Sequence, residues 1–391
     1  MFLVDKPYIS DILKNTIKSC TIPVVGTEIA HQLELYKGTK ILSEEQAIAS
    51  AQKQENPQLY LTSENSINWI AQHLALTPLP DKINLFKDKL RFRQLISPLY
   101  PDFYFKGVDI NELKQLDFDT IPTPFILKPC VGFFSMGVYK VTNRNDWNRC
   151  IELIFDEIEQ VKNLYPLEVL DTRSFIIEEC IEGDEYAVDA YFDSAGEPTI
   201  LGIFKHTFAS QQDVSDRVYT TSKEIIENNL EDFTQFITKI GQLADVKNFP
   251  IHLELRRRSD GIILPIEVNP MRFGGWCTTA DTTFLSYGFN PYDYYFSQKK
   301  PDWSEILTGK EGKLYSIIVL DNSTGVGGEE IASFDYEQLL QKFENPMELR
   351  KIDYRSYPVF GFLITETRVD NFTELKYILD SNLSEFITTV N

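Results

Sequence analysis

His252-Leu-Glu-Leu-Arg-Arg-Arg-Ser-Asp-Gly-Ile-Ile-Leu-Pro-Ile-Glu-Val-Asn-Pro270 reads as a β-hairpin. Two apolar-rich runs flank Asp260-Gly261, and Asp-Gly is a strong signal for a two-residue type I′ turn. With that pair at the tip, Ser259 faces Ile262 and paired positions sum to 521. Glu254 then stands opposite Glu267. The two-residue period of a strand adds His252, Arg256 and Asn269 to the same face. Like charges directly opposite on a sheet repel, so a cation is expected between the two carboxylates. Two carboxylates and an amide oxygen suit a hard divalent ion such as Mg²⁺. A one-residue slip in register would abolish the pairing, and two glutamates on a solvated sheet face is the plainer alternative.

The whole chain narrows the choice. At 391 residues it exceeds one ordinary domain, and two or three are expected. It is 43% hydrophobic and 25% charged, the composition of a folded soluble protein. No apolar run approaches the ~18 residues of a membrane helix. Met1-Phe-Leu-Val-Asp5 lacks a basic region and a cleavage signal, so no secretory peptide is expected. The five cysteines, at 20, 130, 150, 180 and 277, are odd in number and show no CxxC spacing. They indicate neither a disulfide framework nor a zinc site, and a reducing cytoplasm is the expected location. The net charge, 38 − 58 = −20, argues against nucleic acid or an anionic membrane as partner. An anionic substrate would need a local cluster of Lys and Arg. There is no internal repeat or low-complexity segment.

Residues 1–77 alternate strand and helix signals: a strand at Phe2–Val4, a helix capped by Ser10, a strand at Ile22–Gly26, a helix behind a Ser43/Gln46 capping box, a strand at Gln58–Leu61 and a helix carrying Ile67, Ile70, Ala71 and Leu74. This alternation predicts a small parallel α/β sheet. Thr77-Pro-Leu-Pro80 reads as a linker, and a helix is expected over 81–96, carrying Lys89. Thr123-Pro-Phe-Ile-Leu-Lys-Pro129 is a strand that runs into the glycine-containing loop Gly132–Gly137 and a second strand at Val138–Val141. Strand–loop–strand is neither a Walker A loop nor a Rossmann fingerprint. Such a hairpin, with Gly132, Ser135 and Gly137, can still close over phosphates through backbone N–H groups, and Lys128 can supply a point charge. Phe175–Val188 reads as strand, kink at Gly183, strand, with four glutamates and one aspartate that face no cationic run in sequence. A hairpin turn at Asp193–Gly196 and a helix over 222–245 follow. Arg272 lies three residues beyond Asn269, close enough to serve the same site. From about 310 the pattern is strand, helix, two strands and helix, an α+β module with no chemical constellation of its own.

In order and spacing, Lys89, Lys128-Pro129 with its glycine loop, Glu178-Glu-Cys-Ile-Glu-Gly-Asp-Glu185, Glu254 and Glu267-Val-Asn269 resemble the ATP-grasp superfamily, most closely its carboxylate–amine (amino-acid) ligase branch. The resemblance covers roughly 80–300. It implies an α/β and α+β multidomain fold: a parallel pre-ATP-grasp domain at 1–80, an ATP-grasp domain at 81–305 with a lid lobe at about 98–177 and a metal-binding lobe at about 178–305, and a C-terminal module at 306–391. It further implies that Lys89 and Lys128 contact ATP phosphates beneath the 132–137 lid. Glu178 would accept from the adenine amine, the Glu179–Ile181 backbone would meet the ring edge, and Glu185 would bind ribose. Glu254, Glu267 and Asn269 would hold one or two Mg²⁺ ions, with Mn²⁺ as a substitute, and Arg272 would stabilise the transferred phosphate.

The implied reaction is attack of a substrate carboxylate on the γ-phosphate, then attack of an amine on the acyl-phosphate to give an amide, ADP and phosphate. The expected partners are small carboxylate and amine substrates; the alternative readings are a carboxylase acting through carboxyphosphate and a nucleotide-binding scaffold without turnover. A homo-oligomer such as a dimer is compatible with the sequence. Two features depart from the family. Phe134 replaces a usual second lid glycine, and Met271 separates Pro270 from Arg272, leaving Arg256 or Arg257 as alternatives for the Arg272 role. Lys205 and His206 are further candidates to face the nucleotide.

Overall fold

The computed structural model describes residues 1–132, 138–161, 171–209 and 216–390. Its N-terminal unit runs β1 (Phe2–Leu3), α1 (Asp11–Ser19), β2 (Val24–Val25), α2 (Glu28–Gln32), β3 (Ile41–Leu42), α3 (Glu44–Gln52), β4 (Tyr60–Leu61) and α4 (Ile67–His73). The strands form a parallel sheet in the order β3-β2-β1-β4. The expected caps are present. Ser10 accepts from the Leu13 N–H, and Ser43 and Gln46 exchange both capping-box bonds.

The expected linker at 77–80 and the single helix at 81–96 are replaced by two helices, α5 (Leu79–Lys87) and α6 (Lys89–Ile96). Pro80 sits in the first turn of α5, where its missing N–H costs nothing. Asp88 leaves the helical region with ψ 109 and caps α6 by accepting from the Leu90 and Arg91 N–H groups. The break turns Lys87 and Lys89 toward a shared site, described below.

A second unit comprises β5 (Phe105–Asp109), α7 (Ile110–Leu113), β6 (Phe125–Val131), β7 (Tyr139–Val141), α8 (Arg144–Val161) and β8 (Asp171–Glu179). Its antiparallel sheet has the order β5-β8-β6-β7 around a core that includes Leu113, Phe125, Leu127, Val141 and Ile177. The two strands flanking the glycine loop therefore pair as expected. Ser135 and Gly137 lie outside the described residues.

The third part is an eight-stranded sheet. Along the chain it is built from β9 (Asp184–Phe192), β10 (Pro198–Thr207), β11 (Val218–Thr221), the long α9 (Lys223–Ala244), β12 (Phe249–Arg257) and β13 (Ile263–Pro270). Helices α10 (Thr278–Tyr287), α11 (Pro291–Ser297) and α12 (Trp303–Ile306) follow. The C-terminal segment adds β14 (Lys313–Asp321), β15 (Ile331–Phe334), α13 (Tyr336–Leu340), β16 (Asn345–Lys351), β17 (Val359–Arg368), α14 (Thr373–Asp380) and β18 (Ile387–Thr389). The sheet order is β13-β12-β9-β10-β11-β14-β17-β16, so the C-terminal strands extend the same sheet while keeping a core of their own around Ile318, Phe334, Leu363 and Leu375. The N-terminal unit shares its core with the other end of the sheet, where Phe2 and Tyr60 pack with Tyr292. Gly183 carries the chain from the four-stranded antiparallel sheet to this one. Its φ is +118, and a Cβ there would lie 2.2 Å from the Arg257 carbonyl oxygen, so only glycine fits.

The hairpin differs from expectation at its tip. Arg258 N–H donates to Ile262 O and Gly261 N–H donates to Arg258 O, both at 2.9 Å, with Gly261 at φ +86. This is a longer loop, Ser259–Gly261, ending in a left-handed glycine, rather than a two-residue turn. Near the tip paired positions sum to 520, as in Arg256↔Leu264. A bulge between Glu254 and Leu255 then restores 521, and Glu254 faces Glu267 while His252 faces Asn269. The two departures cancel at the positions that matter.

Candidate nucleotide and metal site

Glu254 and Glu267 share one face of β12 and β13. Lys89, at the start of α6, brings its Nζ to 2.8 Å from Glu267 Oε2. Asn269 donates from Nδ2 to Glu267 Oε1 at 3.3 Å, using its amide nitrogen rather than its oxygen. The two carboxylates are not equivalent. Burial opposes ionisation of both, but Lys89 outweighs it at Glu267 and holds that carboxyl below its usual range. At Glu254, burial and the negative charges of Glu267, Asp216 and Glu185 push the carboxyl well above its usual range, and Lys89 offsets them only in part. A carboxylate so placed fits an added divalent cation. Among the described residues no group of three His, Cys, Asp or Glu side chains forms a metal cage. The donor set is two carboxylates and one amide, the kind that Mg²⁺ completes with phosphate oxygens and water.

The other expected cations are also here, each with a carboxylate. Lys128 on β6 lies 2.6 Å from Glu178, and Arg93 on α6 approaches the same carboxylate at 2.8 Å. Burial opposes the Glu178 charge, yet Lys128 and Arg93 hold its carboxyl below the usual range. Arg272 lies 2.6 Å from Glu64 of the N-terminal unit, and Lys87 pairs with that glutamate too. Burial alone would raise Glu64, but Lys87 and Arg272 bring it down to about 2. Met271 sets this direction: it adopts φ +66, and its carbonyl accepts from the Leu61 N–H at the edge of β4. The residue before Arg272 thus ties the end of β13 to the N-terminal unit, where Arg272 meets Glu64. Arg256 and Arg257 have other partners, Glu185 at 2.8 Å and Asp232 at 2.6 Å.

At the hinge, Glu185 also receives His206 Nδ1 at 3.1 Å. Against burial, His206 and Arg256 hold its carboxyl below the usual range. The Glu179 N–H donates to Tyr104 O, and Glu179 Oε2 accepts from the Tyr104 N–H. Ile181 joins Phe103 and Leu264 in a small apolar cluster, and its carbonyl accepts from Arg256 Nη1. The Glu179 and Cys180 N–H groups and the Ile181 carbonyl are thus paired within the protein, and it is the apolar cluster beside them that suits a planar ring. Lys205 pairs with Asp184 at 2.7 Å, away from the carboxylate pair. Gly132 O accepts from Lys89 Nζ at 3.4 Å, which ties the described start of the glycine loop to the lysine that pairs with Glu267.

Sequence reasoning missed Glu64, Lys87 and Arg93. The signal for Lys87 and Arg93 lay in Asp88, a capping residue inside an apparently continuous helix. Glu64 had none, since its partners are 23 and 208 residues away.

Residues 121–280 match the family model described as the ATP-grasp domain. This chain contains an ATP-grasp domain. Solved structures share the fold across the whole chain. An L-amino acid ligase from Bacillus licheniformis aligns with a TM-score of 0.68 at 15% identity, covering 100% of this chain and 98% of that one. An N5-carboxyaminoimidazole ribonucleotide synthetase from Thermotoga maritima gives 0.63 at 13% identity, with 100% and 99% covered. A biotin carboxylase from Campylobacter jejuni gives 0.62 at 13%, with 100% and 92% covered. No curated protein matches by sequence. The ATP-grasp match spans the glycine loop, Glu178–Glu185, the paired Glu254 and Glu267, and Arg272, while Lys89 lies before it.

Proposed function

We propose that this protein is an ATP-dependent ligase that joins a small carboxylate to an amine through an acyl-phosphate, with release of ADP and phosphate. The observation that carries the reading is the Glu254/Glu267 pair, with Lys89 at Glu267 and, among the described residues, no Lys or Arg at Glu254. Glu254, Glu267 and Asn269 are the residues that would hold Mg²⁺. Bound there, the ion would neutralise charge on the phosphates. ATP is the phosphoryl donor and so a substrate.

Each chain residue then has a task. Lys89 and Lys128 approach phosphate oxygens from the α6 and β6 sides, with Gly132 and the loop after it, including Ser135 and Gly137, as the cover that excludes water. Glu178 keeps Lys128 and Arg93 in place and borders the adenine, beside the Glu179–Ile181 backbone. Glu185 meets the ribose. Arg272, held by Glu64, faces the transferred phosphate from the N-terminal side. These roles rest on the family resemblance together with the contacts above.

The test is ADP release with Mg²⁺ and a panel of acids and amines, products being identified by mass. Strict dependence on both an acid and an amine supports the ligase. Dependence on bicarbonate would instead indicate a carboxylase acting through carboxyphosphate, and nucleotide binding without turnover a scaffold.

A further inference from the structure

The segment after β13 holds a backbone form that its sequence does not favour. Trp276 and Cys277 adopt φ +55 and +58, shortly after Met271 at φ +66. Residues with a Cβ rarely take this left-handed form, and it persists where the surroundings impose it. The turn lies against the carboxyl ends of the N-terminal parallel strands. Glu64, beyond β4, meets Arg272, and Tyr8, beyond β1, stacks on the Trp276 ring with centroids 6.4 Å apart. Crevices at such strand ends are where α/β sheets bind small ligands. Gly275 is exposed there and Trp276 is half-buried.

Arg350, on the edge strand β16, reaches this turn from the C-terminal segment. Its Nη1 donates to the Trp276 carbonyl at 3.2 Å, its Nη2 to Asp281 Oδ2 at 2.7 Å, and its Nε to Glu348. The Arg350 side chain is 2% exposed, and Asp281, on α10, is fully buried. The other Asp281 oxygen accepts from the Tyr292 hydroxyl at 3.1 Å. One planar guanidinium thus fixes β16, α10 and the carbonyl of a left-handed residue together, which the point charge of a lysine cannot do. Tyr357 and Phe362 of the same segment pack on the Trp276 ring, with centroids 5.1 and 5.4 Å away. Burial pushes the Asp281 carboxyl up to about 6 against the pull of Arg350, so a neutral acceptor of the same shape should serve at that position.

In the ligase reading, on which this inference rests, Arg272 faces the transferred phosphate. The turn four residues further on then borders the carboxylate and the amine rather than ATP. We propose that Arg350 is a positioning residue for these substrates. It touches neither of them, and it holds the 274–277 turn in the form that they meet. The C-terminal segment thereby completes the site instead of only extending the sheet.

The test uses the full chain with ATP, Mg²⁺ and the proteinogenic amino acids as acids and amines. In parallel the protein is labelled with 5-fluorotryptophan, and Trp276→Phe assigns the Trp276 ¹⁹F signal among the four tryptophans. Arg350→Lys keeps a positive charge beside Asp281 but loses the fork. It should raise KM for the acid or the amine roughly tenfold or more, change KM for ATP less than about twofold, and shift or broaden the Trp276 signal. Asp281→Asn keeps Arg350 and an acceptor oxygen, so it should lower Tm while leaving the KM values and the Trp276 signal unchanged. Equal changes in the two variants would make Arg350 an ion-pair partner in the fold alone and overturn the proposal. An unmoved Trp276 signal in Arg350→Lys, or an equal rise in KM for ATP, would overturn it too. If the unsubstituted chain releases no ADP with any pair of amino acids, the ligase reading is what fails, and the ¹⁹F comparison still decides whether Arg350 holds the turn.

Discussion

Lys89 Nζ lies 2.8 Å from Glu267 Oε2, and Glu254, directly opposite Glu267, has no lysine or arginine partner among the described residues. The asymmetry separates the two glutamates chemically. Glu267→Gln should lower Mg²⁺-dependent ATP turnover on the order of a hundredfold or more. The fold should survive, because Lys89 also feels the charge of Glu254. Coupled ADP assays and circular dichroism check both parts. Near-normal turnover would remove Glu267 from the metal site.

Glu64 predicts an acid-sensitive domain junction. Its carboxyl is held at about 2 by Lys87 and Arg272, below the usual 4.5. A carboxyl depressed in the folded state contributes stability that is complete above the unfolded pKa and is lost as pH falls through the folded one. The window is therefore pH 4.5 down to about 2. The contribution is about 3 kcal/mol, at roughly 1.4 kcal/mol per unit. Urea unfolding across this range should show the loss. Glu64→Gln should flatten that part of the slope and destabilise the neutral-pH protein by about 3–5 kcal/mol, since two buried cations lose their partner. A parallel pH profile in the variant would show that Glu64 is not the group responsible.

The two predictions draw on different parts of what the sequence disclosed. The Glu254–Glu267 facing followed from alternation, because the turn and bulge errors cancelled and a strand face has a fixed period of two. The parallel N-terminal sheet followed from caps and apolar spacing, which are local. Glu64 could not be found this way, and Arg93 only through the cap at Asp88. Their importance comes from partners brought close only by docking of the N-terminal unit and α6 on the large sheet. The same holds for Phe175–Val188, whose acidic residues face no cation in sequence yet meet Arg93, Lys128, Lys205, His206 and Arg256 in space. The helix break at Asp88 was readable in principle, as an N-cap donor set, but helical periodicity on both sides concealed it.

Arg93 is expected to be more sensitive than its surface-like sequence setting suggests. It is 2% exposed, shares Glu178 with Lys128, donates to Pro265 O at 3.0 Å and covers the Phe103 ring at 4.4 Å. Arg93→Ala removes half the positive charge around a buried carboxylate and should cost about 3–5 kcal/mol. Arg93→Lys should recover only part of this, because an ammonium cannot reproduce the two-nitrogen contact to Glu178. Thermal and urea unfolding of the two variants would show the order. Equal stability of Arg93→Lys and the unsubstituted protein would mean that charge alone, not geometry, matters here.

Glu185 separates binding from architecture. Its carboxylate already holds Arg256 and His206, yet it sits on the same sheet face as Glu254. Glu185→Ala should weaken ATP binding by about 1–3 kcal/mol, the range for a hydrogen bond to a charged group. Arg256→Met leaves Glu185 in place and removes only its partner, so it should disturb stability more than ATP affinity. Calorimetric titration with ATP and Mg²⁺, beside urea unfolding of each variant, resolves the two effects. Unchanged affinity in Glu185→Ala would remove this glutamate from the ribose contact and leave it as the anchor that orders Arg256 and His206 at the hinge.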